Sequence, residues 1–139
     1  MTSYLVSSVA GRIAIVICGF AILLPYALRR NRLSRSLGLA QDNAGHYLHR
    51  LWPHFWLGYL IVGLSLLHTT TVMAAMARAN PAGVWAATGA LFLLMLEVVL
   101  GLSLKDARLG GRVLVRRLHF WTTTALVVLL AAHLWLNAR

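Results

Sequence analysis

Four long apolar runs alternate with three connections of very different polarity along the chain. The runs are roughly Leu5–Leu28, Leu51–Ala77, Val84–Leu104 and Val113–Leu136. A helix of about 20 residues crosses a hydrocarbon core of about 30 Å. Strands are disfavoured because the runs are long, and because a backbone crossing lipid must satisfy its own hydrogen bonds. The pattern predicts an all-α fold, an integral membrane four-helix bundle formed as one domain over residues 1–139. Arg12 is the single charge that interrupts the first run.

The connections divide by charge. "RRNRLSRSLGLAQDNAGHYLHR" carries Arg29, Arg30, Arg32, Arg35 and Arg50, and "KDARLGGRVLVRR" carries Lys105, Arg108, Arg112, Arg116 and Arg117. The short "RANPAG" between the second and third runs carries one arginine. Ten of the 13 Lys and Arg residues thus fall on the two connections that share a side. The positive-inside rule makes that side cytoplasmic, so a multi-pass protein of the cell's inner (cytoplasmic) membrane is expected, with both termini outside. Only 12% of residues are charged and 60% are hydrophobic, against about 25% and about 45–50% in soluble domains. A net charge of +10 on a soluble chain would suggest nucleic acid. Here the basic loops of a membrane protein account for it, so lipid is the expected partner and nucleic acid is not. The lone cysteine, Cys18, cannot form an internal disulfide or a thiolate cluster, and no CxxCH is present. It reads as a small packing residue. The start lacks the basic segment and small-residue cleavage site of a secretory signal, so the first helix is expected to be retained.

Two stretches raise the question of chemistry. "PHFWLGYLIVGLSLLH" and "HFWTTTALVVLLAAH" each carry histidines fourteen residues apart, His54 and His68 in one, His119 and His133 in the other. Fourteen helical residues rise about 21 Å and turn about 1400°, about 40° short of four full turns. Each pair therefore lies on one helix face at two depths. The second and fourth helices run parallel, so His54 can face His119 near the inner surface and His68 can face His133 near the outer one. Zinc usually takes four clustered ligands, which these separated pairs do not supply. Haem iron takes two trans imidazoles and leaves the porphyrin to fill the apolar gap. The expectation is two haem b groups between the second and fourth helices.

H-x13-H on two helices of a four-helix bundle resembles the di-haem b-type membrane cytochromes. These include the haem-binding core of cytochrome b in quinol–cytochrome c oxidoreductases and the ferric-reductase-like membrane domains. The resemblance rests on His54, His68, His119 and His133 and on "RRLHFW…AAHLWLN", and it covers the second to fourth helices best. The 139 residues hold neither the further helices and quinol-oxidation loop of the full cytochrome b chain nor a flavin or nicotinamide domain.

Several neighbours of the histidines carry two readings each. Gly58 and Gly63 suit close approach of a flat ring or ordinary packing of membrane helices. Ala87/Gly101 and Gly89/Ser103 echo the fourteen-residue interval on the third helix. Arg50, Arg116 and Arg117 can pair with haem propionates or with lipid phosphates. His46 and His49, in "HYLHR", are solvated loop histidines or groups that serve a quinone. Glu97, in "LLMLEVVL", relays a proton to an inner quinone site or bonds to a neighbouring helix. Trp52, Trp56, Trp121 and Trp135 fit an interfacial aromatic belt. No tandem repeat is evident beyond the doubled histidine spacing.

Together these features predict a transmembrane electron-transfer subunit of a respiratory oxidoreductase. It would carry two bis-histidine b haems and pass electrons between a redox partner subunit and membrane quinone. Two other classes fit the same residues. One is a stand-alone quinone-linked membrane oxidoreductase acting on superoxide or ferric iron, and the other is a non-redox membrane anchor.

Overall fold

The computed structural model describes the backbone of residues 2–29, 51–106 and 109–138. It contains four helices: α1 (Thr2–Arg29), α2 (Trp52–Ala79), α3 (Pro81–Asp106) and α4 (Leu109–Asn137). Each contains a segment long and apolar enough to cross a membrane: Leu5–Ala27, Trp52–Val72, Pro81–Lys105 and Gly111–Asn137. No strand occurs among the described residues.

The helix starts depart from the apolar runs where capping chemistry overrides hydropathy. α3 begins at Pro81, three residues before Val84. Asn80 supplies the cap, its Oδ1 accepting the Gly83 N–H at 3.0 Å, and Pro81 occupies the first helical position, where its missing N–H costs nothing. α4 starts at Leu109, four residues before Val113. α1 contains Pro25. A proline inside a helix donates nothing to the carbonyl four residues back, so Ala21 O loses its helical donor.

α1 packs along α2 and α3 along α4, with sparser contact between α2 and α3. The molecule is thus two antiparallel hairpins. Its buried core is small in volume: Cys18, Ala21, Ile61, Ala90, Leu94 and Leu126 form one cluster. Small side chains such as Ala10, Ala14 and Ala21 let helix backbones approach closely, the usual device where lipid removes the hydrophobic drive between helices. The large apolar side chains point outward instead, with Trp85 76% and Phe92 69% exposed. Helices that are apolar all round need an apolar solvent, and this surface has the character lipid requires.

The hairpins repeat each other in space although their letters differ. A shift of 76 residues (90 − 14, 94 − 18) carries buried Ala14 and Cys18 of α1 onto buried Ala90 and Leu94 of α3. A shift of 65 (126 − 61) carries buried Ile61 of α2 onto buried Leu126 of α4.

Candidate functional site

The four intramembrane histidines come together as two pairs. His54 and His119 have ring centroids 6.4 Å apart with their planes at 84°. His68 and His133 have centroids 6.4 Å apart with their planes at 81°. Both pairs bridge α2 and α4, and all four residues are half-buried. Among the described residues no group of three or more His, Cys, Asp or Glu side chains is placed to share an ion.

Three of the four rings are held by an Nδ1 hydrogen bond to a backbone carbonyl, and the fourth sets Nδ1 against a carboxyl group. His54 Nδ1 donates to Ala21 O at 3.0 Å, the carbonyl that Pro25 leaves without a helical donor. His68 Nδ1 donates to Ser7 O at 2.9 Å and lies 3.0 Å from Ser7 Oγ. Ser7 is fully buried, and its hydroxyl donates to His68 O at 3.2 Å. His133 Nδ1 donates to Gly83 O at 3.1 Å, while Asn137 Nδ2 donates to His133 O at 2.7 Å. His119 Nδ1 approaches Glu97 Oε2 to 2.6 Å, off the line of a regular N–H hydrogen bond. A carbonyl has no proton to give, so Nδ1 carries the hydrogen where a carbonyl faces it. That tautomer leaves the Nε2 lone pair free to bind a metal.

The anchors keep the histidines' own interval. Ser7 and Ala21 of α1 are fourteen apart (21 − 7), as are Gly83 and Glu97 of α3 (97 − 83). All four helices therefore share one fourteen-residue register, with α1 and α3 supplying acceptors and α2 and α4 supplying rings. Close approach depends on missing side chains. A Cβ on Gly11 would lie 2.9 Å from His68 Nδ1, and one on Gly83 would lie 2.6 Å from Asn80 Nδ2. Asn80 also ties the start of α3 to the end of α4, donating to Leu136 O at 2.9 Å.

Glu97 is the exception among the anchors, because its side chain accepts rather than its backbone. It receives the Thr122 hydroxyl on Oε1 and the Thr123 hydroxyl on Oε2 at 2.9 Å. Three polar groups of α4 thus surround one carboxyl group that is only 11% exposed, and the two hydroxyls also reach carbonyls of their own helix, Thr122 to Leu118 O at 2.9 Å and Thr123 to His119 O at 2.7 Å.

Cavities flank the rings of the second pair. One, of about 80 Å³, runs between the hairpins from His68 and His133 past Ala14, Ser65, Ala90 and Leu126. The other, of about 290 Å³, opens on the far side past Thr69, Gly83, Thr88 and Asn137.

The remaining sequence candidates distribute unevenly. Gly58 is half-buried and has open space where a Cβ would project. Gly63 is exposed and lies nine residues beyond His54, about 180° around the helix, so it is not with the ring-facing residues. Arg116 and Arg117 are exposed near the start of α4. Arg50, His46 and His49 lie outside the described residues. Ala87 lines both cavities. Gly89 is a packing position, where a Cβ would meet Leu129 at 3.1 Å. A Cβ on Gly101 would lie 4.0 Å from Phe55, an ordinary contact, and the Ser103 hydroxyl bonds back to Val99 O of its own helix at 2.8 Å.

Sequence reasoning missed Ser7, Gly11, Ala21, Gly83, Thr122, Thr123 and Asn137. A search of α1 and α3 for the interval already seen in the histidines, together with the lone proline of α1, would have exposed some of them.

No protein-family model matches the chain, and neither a curated protein nor a solved structure matches it.

Proposed function

We propose that the chain is a di-haem b-type membrane cytochrome. In this reading it is a transmembrane electron-transfer subunit working between a redox partner subunit and membrane quinone. The observation that carries this reading is the doubled histidine geometry. A ligating imidazole nitrogen lies about 2 Å from its metal, so two trans imidazoles hold their ring centroids about 6 Å apart. Both pairs stand at 6.4 Å. Three of the four Nδ1 atoms face backbone carbonyls and the fourth faces a carboxyl oxygen. Metal-bound histidines in general are oriented by such partners, which also raise ligand basicity.

Bound there, haem supplies reversible one-electron storage. The chain's own residues would do the rest. His54 with His119, and His68 with His133, would each hold one haem iron from both sides, which would favour electron transfer over oxygen binding. The small lining residues and the open space at Gly58 suit a flat apolar ring. Arg116 and Arg117 are assigned to haem propionates or lipid phosphates. Arg50, with His49, belongs to the same Arg-rich side, where the quinone is assigned. The positive-inside rule puts that side, and the His54/His119 pair, at the cytoplasmic surface.

The test is pyridine haemochrome quantification on purified protein. The expected result is two non-covalent haems per chain, low-spin in both oxidation states. A colourless protein would end the reading in favour of a membrane anchor.

A further inference from the structure

We infer that Arg12, Ser8 and Thr69 form an anion subsite beside the His68/His133 pair, which receives the carboxylates of the haem held there. This rests on the haem reading above. The two cavities at that pair differ in what lines them. The one of about 80 Å³ runs toward the middle of the bundle, mostly between apolar side chains such as Ala14, Leu94 and Leu126. The one of about 290 Å³ runs toward the α2–α3 turn past Ser8, Thr69, Thr88 and Asn137. A flat ring with one acidic edge suits that gradient in one sense only, with the acidic edge toward the turn.

Two of those polar side chains are uncommitted. The Thr88 hydroxyl bonds to Val84 O at 2.9 Å, and Asn137 is tied to His133 O and to Asn80. Thr70 and Thr71 likewise bond to carbonyls of their own helix. The half-buried hydroxyls of Ser8 and Thr69 make no hydrogen bond among the described residues. Both are free to donate to an anion in the cavity.

Arg12 supplies the charge. It follows Ser8 by one turn of α1 (12 − 8 = 4). A helical side chain leans over the turn N-terminal to its own, which in α1 is the turn of Ser8, at the His68/His133 end. The other cations of the spanning segments, Lys105, Arg112, Arg116 and Arg117, lie at the opposite end, and their one acid, Glu97, adjoins His119. Arg12 has no ion pair among the described residues. A cation inside a span is costly without a partner, and an anion beside it turns that cost into charge-assisted hydrogen bonds. A lipid phosphate offers similar chemistry. The haem carboxylate is favoured because the two free hydroxyls line the cavity beside the histidines.

The test is spectroelectrochemical titration of purified, haem-loaded protein in detergent freed of phospholipid, with resonance Raman spectra of the haem carboxylate bending bands. A nearby cation favours the ferrous over the ferric state. Arg12→Gln should lower the midpoint of the component that His68→Ala removes and leave the other in place, while Arg12→Lys should keep it near the wild-type value. Ser8→Ala and Thr69→Val should shift the carboxylate bands of that same component. An unmoved midpoint in Arg12→Gln, or an equal fall in both components, would overturn this inference and leave the cytochrome reading standing. A shift that appears only when phospholipid is added back would assign Arg12 to lipid phosphate and overturn it too. A wild type without haem would sink both readings. If Arg12→Gln retains only one haem, Thr69→Val decides: unmoved carboxylate bands there overturn the inference.

Discussion

The α1–α2 and α3–α4 hairpins do the same work with different parts. Each offers two histidines on its second helix and two acceptors on its first, in the same fourteen-residue register. In the first hairpin both acceptors are backbone carbonyls, and one of them, Ala21 O, is freed by Pro25. In the second, Gly83 O repeats the role of Ser7 O, while Glu97 stands where Ala21 stands (97 − 21 is the same 76-residue shift). A backbone acceptor is neutral and fixed by helix geometry. A side-chain acceptor can carry charge. The comparison teaches that a near-symmetric scaffold can replace one backbone acceptor in four by a side chain without losing the register.

The most severe way to break the comparison is to remove a ring. His54→Ala and His119→Ala should each abolish the same spectral component, and His68→Ala should spare it. Haem content would fall from two to one in each variant. The emptied pocket also leaves an apolar cavity that loosens the bundle, so a thermal unfolding curve must accompany each spectrum. Loss of matching components by His54→Ala and His133→Ala instead would refute the pairing.

A milder break uses the positions one turn beyond Ser7 and Gly83. Position 87 already carries a Cβ, while position 11 has no room for one, since a Cβ there would sit 2.9 Å from His68 Nδ1. Gly11→Ala should displace the His68 ring, costing about 1–3 kcal/mol and weakening haem retention at that site alone. Ala87→Gly should cost only about 1 kcal/mol through helix propensity and keep both haems. Equal behaviour of the two variants in chemical denaturation and haem titration would show that the close approach at Gly11 does not matter.

The smallest difference expected between the halves is in ring angle, 84° against 81°. Near-perpendicular imidazoles donate into different iron d orbitals and leave them nearly degenerate. Electron paramagnetic resonance of the oxidised protein should therefore give strongly anisotropic low-spin signals from both sites. A rhombic signal of ordinary spread at either site would mean that its rings turn toward parallel when iron binds.

Much of the fold was legible because it depends on composition over long windows. Four apolar runs identify the helices, and the arginines separate the connections by side. The boundaries were less legible at α3, where hydropathy points to Val84 but the Asn80 cap and Pro81 start the helix. The histidine pairs could be read because a ring at a fixed interval is visible in the letters. Their anchors could not, because Ser7, Ala21 and Gly83 act through carbonyl groups that every residue possesses. Glu97 did stand out as a carboxyl group in an apolar run, yet only folding reveals that it meets His119, Thr122 and Thr123. Gly63 is exposed about 180° around α2 from His54, so closeness in sequence to both histidines does not by itself set a residue's face.

Pro25 carries a consequence for the order in which this chain can change over descent. While it is present, Ala21 O lies inside a spanning segment and depends on His54 Nδ1. Losing His54 first strands that carbonyl in hydrocarbon, where an unmet polar group costs several kcal/mol. Losing Pro25 first is mild, because the new N–H restores the helical bond and the carbonyl's second lone pair can still serve the ring. The two positions are therefore epistatic with a preferred direction. A lineage abandoning this site should shed the proline before the histidine, and descendants that keep the proline without a donor opposite it should be rare.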